Sequence, residues 1–82
     1  MEIKTIKVGF LQTNCYILTL NDKCLIIDPG DEADKIIKNI DKDVIGILIT
    51  HYHFDHIGAL NSLKDKYKCS IYDIYNCKSN ME

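Results

Sequence analysis

Val44-Ile45-Gly46-Ile47-Leu48-Ile49-Thr50-His51-Tyr52-His53-Phe54-Asp55-His56 is the stretch on which the fold of this chain turns. Its first six residues are almost unbroken apolar and rich in β-branched side chains, the pattern of a strand covered on both faces. The strand runs directly into a cluster holding all three histidines of the chain, with Asp55 interposed. Chemistry at the C-terminal end of a strand is the usual arrangement in α/β sheets.

Working backwards, Asp28-Pro29-Gly30 ends an earlier strand abruptly, because proline fixes its own φ and glycine allows a sharp change of direction. Asp31 is then placed as a helix N-cap, with Asp34 in the first turn favouring the positive helix end. Ala33, Ile36, Ile37 and Ile40 fall at i, i+3, i+4 and i+7, giving the helix one apolar face. Further back, Ile3–Val8, Asn14–Leu20 and Cys24–Ile27 read as an antiparallel meander of strands, with a turn at residues 21–23. Working forwards, a second helix is expected from Ile57 to Tyr67 with Leu60, Leu63 and Tyr67 inward, and a last strand over Cys69–Ile74. The tail from Tyr75 to Glu82 is polar and aperiodic.

The order of strands, helix, buried strand, helix and strand predicts an α/β layer, a mixed sheet with helices on one face. At 82 residues the chain holds one domain at most, and such an open layer leaves a sheet face uncovered. Apolar content of 46% and charged content of 27% are those of a globular chain. A net charge of -2 without any basic stripe argues against nucleic acid or an acidic membrane surface as partner. The N-terminus lacks the apolar core of a signal peptide and no run is long enough to span a membrane, so a cytoplasmic location is expected. Cys15, Cys24, Cys69 and Cys77 form no Cys-x-x-Cys pair and read as reduced, small, buried hydrophobes.

Imidazole nitrogen and carboxylate oxygen are the donors that zinc accepts most readily, with iron or manganese as alternatives for the same set. His51 and His53, two apart in an extended segment, can turn to one side, while Asp55 and His56 point elsewhere. The spacing therefore suggests two ions, which together lower the pKa of a shared water and supply a nucleophile at neutral pH. An ordinary polar turn is the competing reading. Three histidines and an aspartate in six residues directly after an apolar strand favour metal ligation.

With these residues in view, the sequence resembles the metallo-β-lactamase-fold hydrolases, particularly the glyoxalase II-like (hydroxyacylglutathione hydrolase-like) branch. The resemblance rests on Leu11-Gln12-Thr13-Asn14-Cys15-Tyr16-Ile17, Ile26-Ile27-Asp28-Pro29-Gly30 and Thr50 to Gly58, in that order. It implies that residues 1–82 form a single partial domain, the N-terminal half of an αββα sandwich. It implies further that His51 and His53 ligate a first zinc ion and Asp55 and His56 a second, with Asp55 also acting in catalysis on the attacking water. Asp28 would lie behind the histidine segment and help to hold it; the plainer alternative is a turn aspartate before proline. Tyr16, Tyr52 and Phe54 read as packing residues.

The family pattern needs a further histidine, a bridging aspartate and a last histidine, and no histidine follows His56. Two ligands per ion are fewer than the three or four of a tight zinc site. The expected activity is hydrolysis of a small-molecule thioester or ester by a truncated enzyme whose site is completed by a homodimeric partner or a complementing second half. The alternative is a non-catalytic half-domain with a vestigial metal site or a protein-interaction role.

Overall fold

The computed structural model describes residues 1–10, 12–50 and 57–73. Five strands and two helices follow one another as β1 (Glu2–Val8), β2 (Thr13–Leu20), β3 (Lys23–Ile27), α1 (Ala33–Lys38), β4 (Asp43–Ile49), α2 (Ile57–Tyr67) and β5 (Ser70–Asp73). The strands form one sheet in the order β1-β2-β3-β4-β5. The β1/β2 and β2/β3 pairs are antiparallel and the β3/β4 and β4/β5 pairs parallel. This mixed sheet follows from the connections. Short turns join the first three strands as a meander, whereas α1 and α2 are the crossovers that parallel neighbours require. The C-terminal ends of β1, β3, β4 and β5 consequently share one rim, together with the start of β2.

Period-2 alternation sorts the side chains onto two faces. Ile17, Ile26, Ile47 and Ile71 lie side by side in register on the inner face, flanked by Ile6, Val8, Cys15, Cys24, Val44 and Ile49. Ile36 of α1 and Leu60 and Leu63 of α2 close over them, and Ala33, Ile37, Ile40 and Tyr67 fill the margins. Both helices therefore cover the same face, as expected from the sequence. Ala59, buried in the first turn of α2, was not among the inward positions expected there.

Two details depart from the expected pattern. The cap of α1 is Glu32 rather than Asp31, and α1 ends at Lys38, short of Ile40. Glu32 adopts left-handed backbone (φ 54°) and its carboxylate accepts a hydrogen bond from the Gly9 N–H at 2.6 Å instead of capping its own helix. Asp31 accepts the Glu32 N–H through Oδ1 at 2.7 Å. At the other end the Asn39 side chain donates to the Lys35 carbonyl, closing the helix, while Ile40 still reaches the core.

The second departure is β4, expected to be covered on both faces. Among the described residues only its inner face is covered. Its outer face shares rows with Ile3, Leu18, Leu25 and Ser70 through Gly46, and with Thr5, Tyr16, Ile27 and Tyr72 through Leu48. A register shift opposite Cys24/Leu25 leaves Ile45 as an extra, exposed residue. Gly46 has a packing reason: a Cβ there would stand 3.2 Å from both Leu25 Cδ1 and Tyr72 Cε2.

Candidate metal-binding segment

Thr50 is the last described residue of the β4 rim, and Asp28 of the neighbouring β3 connection holds it. The β3/β4 ladder ends at Ile27 opposite Leu48, and the Asp28 N–H adds one more rung by donating to the Leu48 carbonyl at 2.9 Å. Pro29 follows and has no N–H to give. The ladder is continued by a side chain instead. Asp28 Oδ1 accepts the Thr50 N–H at 2.7 Å, and Oδ2 accepts the Thr50 hydroxyl. Both oxygens of one carboxylate thus grip one residue, with the charge-assisted strength that such bonds carry.

Asp28 reaches this position because its backbone is left-handed (φ 54°), a conformation aspartate tolerates better than most residues. The grip fixes the direction in which the chain leaves β4, one residue before His51. The plainer reading of Asp28 as a simple turn aspartate is therefore insufficient. It bridges the ends of β3 and β4 through Thr50.

The neighbourhood of Asp28 is built from three connections. Beneath it, Cys15 is fully buried on the inner face, and burial together with the Asp28 carboxylate pushes its thiol up to about 12. Such a thiol stays protonated at neutral pH. Cys24 and Cys69 are also raised, chiefly by burial, and all three are free thiols. The expectation of reduced, buried cysteines is met at Cys15 and Cys24, whereas Cys69 is only half-buried; Cys77 lies outside the described residues.

Beside Asp28, the β1–β2 connection approaches the start of α1. Gly9 (φ 77°) lies so close to Asp31 that a Cβ would stand 3.1 Å from the aspartate Cβ. The Glu32 bond to the Gly9 N–H and a Lys35 Nζ bond to the Lys7 carbonyl at 2.6 Å tie the two together. Sequence reasoning missed this link, and no local signal could have shown it, since Asp31 is the better cap by residue type.

The four residues expected to bind metal, His51, His53, Asp55 and His56, lie outside the described residues. Among the described residues no group of three or more His, Cys, Asp or Glu side chains is placed to hold a metal. The donor set of the segment, three imidazoles and a carboxylate, fits zinc or a similar borderline cation. Asp28 holds Thr50, the residue that precedes the segment in sequence. No helix among the described residues is long and apolar enough to cross a membrane.

The chain is 44% identical over 75 residues to the probable metallo-hydrolase YqgX of Bacillus subtilis (strain 168), covering 88% of this chain and 36% of that protein. It is 38% identical over 76 residues to the hydroxyacylglutathione hydrolase GloC of Haemophilus influenzae, again over 88% and 36% of the two chains. Among solved structures, the BLEG-1 B3 metallo-beta-lactamase superposes with a TM-score of 0.78 at 37% identity, over 87% of this chain and 36% of that one. The chain thus spans about a third of the length of these relatives. The profile of the metallo-beta-lactamase superfamily matches residues 8–75, and the chain belongs to that superfamily.

Proposed function

We propose that this chain carries the first ligand segment of a zinc-dependent hydrolase acting on a small-molecule thioester or ester. His51 and His53 would hold one ion, and Asp55 and His56 a second. The observation that carries the proposal is the double grip of Asp28 on Thr50, which fixes the entry to the histidine segment at the C-terminal rim of the sheet. A carboxylate that orients the ligands behind a metal site does this work. The hydroxyacylglutathione hydrolase relatives favour a thioester as substrate class.

When bound, zinc would polarise the substrate carbonyl and bring the pKa of a water toward neutrality. Asp55 would take the proton from that water. Asp28 acts only through Thr50, as a positioning residue. The segment supplies two donors for each ion and a tight zinc site needs three or four. The remaining donors would come from a complementing second half or a second copy.

The test is zinc affinity of the full 82-residue chain, measured by competition with a chromogenic chelator, beside thioester hydrolysis. His53→Ala is expected to weaken zinc binding by a hundredfold or so, and Asp28→Asn by about tenfold to a hundredfold without unfolding the sheet. Affinity that does not respond to His51 or His53 substitution would sink the assignment. Zinc bound through these residues without hydrolysis would leave a non-catalytic metal-binding half-domain.

A further inference from the structure

Asp28-Pro29-Gly30-Asp31-Glu32 connects β3 to α1, and each end of this short connection reaches a different part of the rim. At one end Asp28 takes the Thr50 N–H and hydroxyl across 22 residues. At the other end Glu32 takes the Gly9 N–H at 2.6 Å across 23 residues. Both end residues hold left-handed backbone, at φ 54° each. Six of the described residues have positive φ, and four of them, Gly9, Gln12, Asp28 and Glu32, belong to the connections at this rim.

Glu32 is the least expected of the four. Left-handed backbone is costly for an ordinary L-residue, and glutamate lacks the short side chain that eases it for aspartate or asparagine. It also gives α1 no side-chain cap. Backbone strain that does not serve its own helix points to a task elsewhere.

We infer that Glu32 is a positioning residue for the metal-binding segment, acting through residues 28–32 as a brace between the β1–β2 connection and the exit of β4. The brace is stiff. Pro29 is buried and fixes its own φ. Gly9 packs so tightly on Asp31 that a Cβ would stand 3.1 Å away. The partner of Glu32 is itself held, because the Gly9 carbonyl accepts the Gln12 N–H at 3.1 Å and Gln12 Nε2 at 2.9 Å. Lys35 Nζ adds its bond to the Lys7 carbonyl at 2.6 Å. Asp28 therefore meets Thr50 from a connection fixed at its other end. A carboxylate that spends both oxygens on one residue depends on such fixed geometry.

The effect on zinc rests on the reading of residues 51–56 as metal ligands; the effect on Thr50 does not. Amide hydrogen exchange of the metal-free full chain, with urea midpoints and zinc affinity measured separately, tests the inference. Glu32→Ala should speed exchange of the Thr50 amide by about fivefold to tenfold relative to the Ile47 amide within β4, and weaken zinc binding by a similar factor. Glu32→Gln keeps an oxygen that accepts the Gly9 N–H and should restore both. Should Glu32→Ala fail to fold, Glu32→Gly removes the carboxylate while relieving the left-handed backbone, so Thr50 should loosen with the urea midpoint held or raised. In an Asp28→Asn background the effect of Glu32→Gly on Thr50 should shrink, since both changes act on one network. Faster exchange at Gly9 with Thr50 unchanged would overturn the inference, as would equal loosening at Thr50 and Ile47, the mark of general destabilisation. Zinc affinity indifferent to a variant that loosens Thr50 would overturn it too. If Thr50 responds as expected and the wild-type chain binds no zinc, the brace stands and the metal assignment falls.

Discussion

The two faces of the sheet are made by the same strands and both are apolar, yet they differ in what covers them. Ile26 and Ile27 are neighbours in β3; Ile26 is fully buried beneath the helices, whereas Ile27 is half-buried on the open side. In β1, Ile6 is buried while Ile3 is 59% exposed. Hydrophobicity alone therefore does not place a residue in this core. Burial comes from the two crossover helices, and both lie on one side. The inner face supplies stability to the chain itself, while the outer face has apolar area to spare for another surface.

The largest effect that would sharpen this contrast is expected at the inner face. Ile26→Thr removes packing and buries a hydroxyl, and should cost about 3 kcal/mol, read from the shift in urea midpoint. That is a large part of the total stability of an 82-residue domain. A cost well under 1 kcal/mol would mean that the helices do not seal this side.

Alkaline pH gives an intermediate effect with a defined sign. The Cys15 thiol titrates near 9.0 when exposed and near 12 when folded. Between those values the unfolded chain loses the proton and the folded chain keeps it, so the unfolded state binds fewer protons. Stability present below about pH 9 should then fall by up to about 1.4 kcal/mol per pH unit from this group. Cys24, Cys69 and Tyr67 are shifted in the same direction and steepen the decline. Urea titrations at pH 8 and pH 10 with wild type and Cys15→Ala check this, and an equal pH dependence in both would remove Cys15 from the account.

The smallest effect belongs to the outer face. Ile3→Thr keeps a β-branched residue on an exposed edge strand and should change the stability of the monomer by about 0.5 kcal/mol or less. The measurement is the shift in urea midpoint, as for Ile26→Thr. A loss comparable to that of Ile26→Thr would show that something already covers this face.

Much of the layer was legible because alternation and helical periodicity are local signals. The bounds of α2 agree with those expected from Leu60, Leu63 and Tyr67, and β1 to β3 agree within a residue or two. The start of α1 was not legible. Asp31 has the better side chain for a cap, but Glu32 is drawn to the Gly9 N–H across a distance of 23 residues. The apolar run of β4 is a separate case. It records a strand suited to cover on both faces, while the described residues supply cover on one.

The expectation of metal ligation at the histidine segment came from residue types and spacing, and the order of strands and helices placed the segment after β4. Those are properties of the chain read alone, because ligand softness and period-2 or 3.6-residue patterning are written in consecutive residues. That Asp28 would grip Thr50 with both carboxylate oxygens, and that Cys15 would lie beneath it with its thiol held protonated, was decided only when β3 paired with β4 in parallel and with β2 in antiparallel register. Hydrogen bonds and desolvation act through space, and no spacing along the chain measures the 22 residues that the fold closes between Asp28 and Thr50.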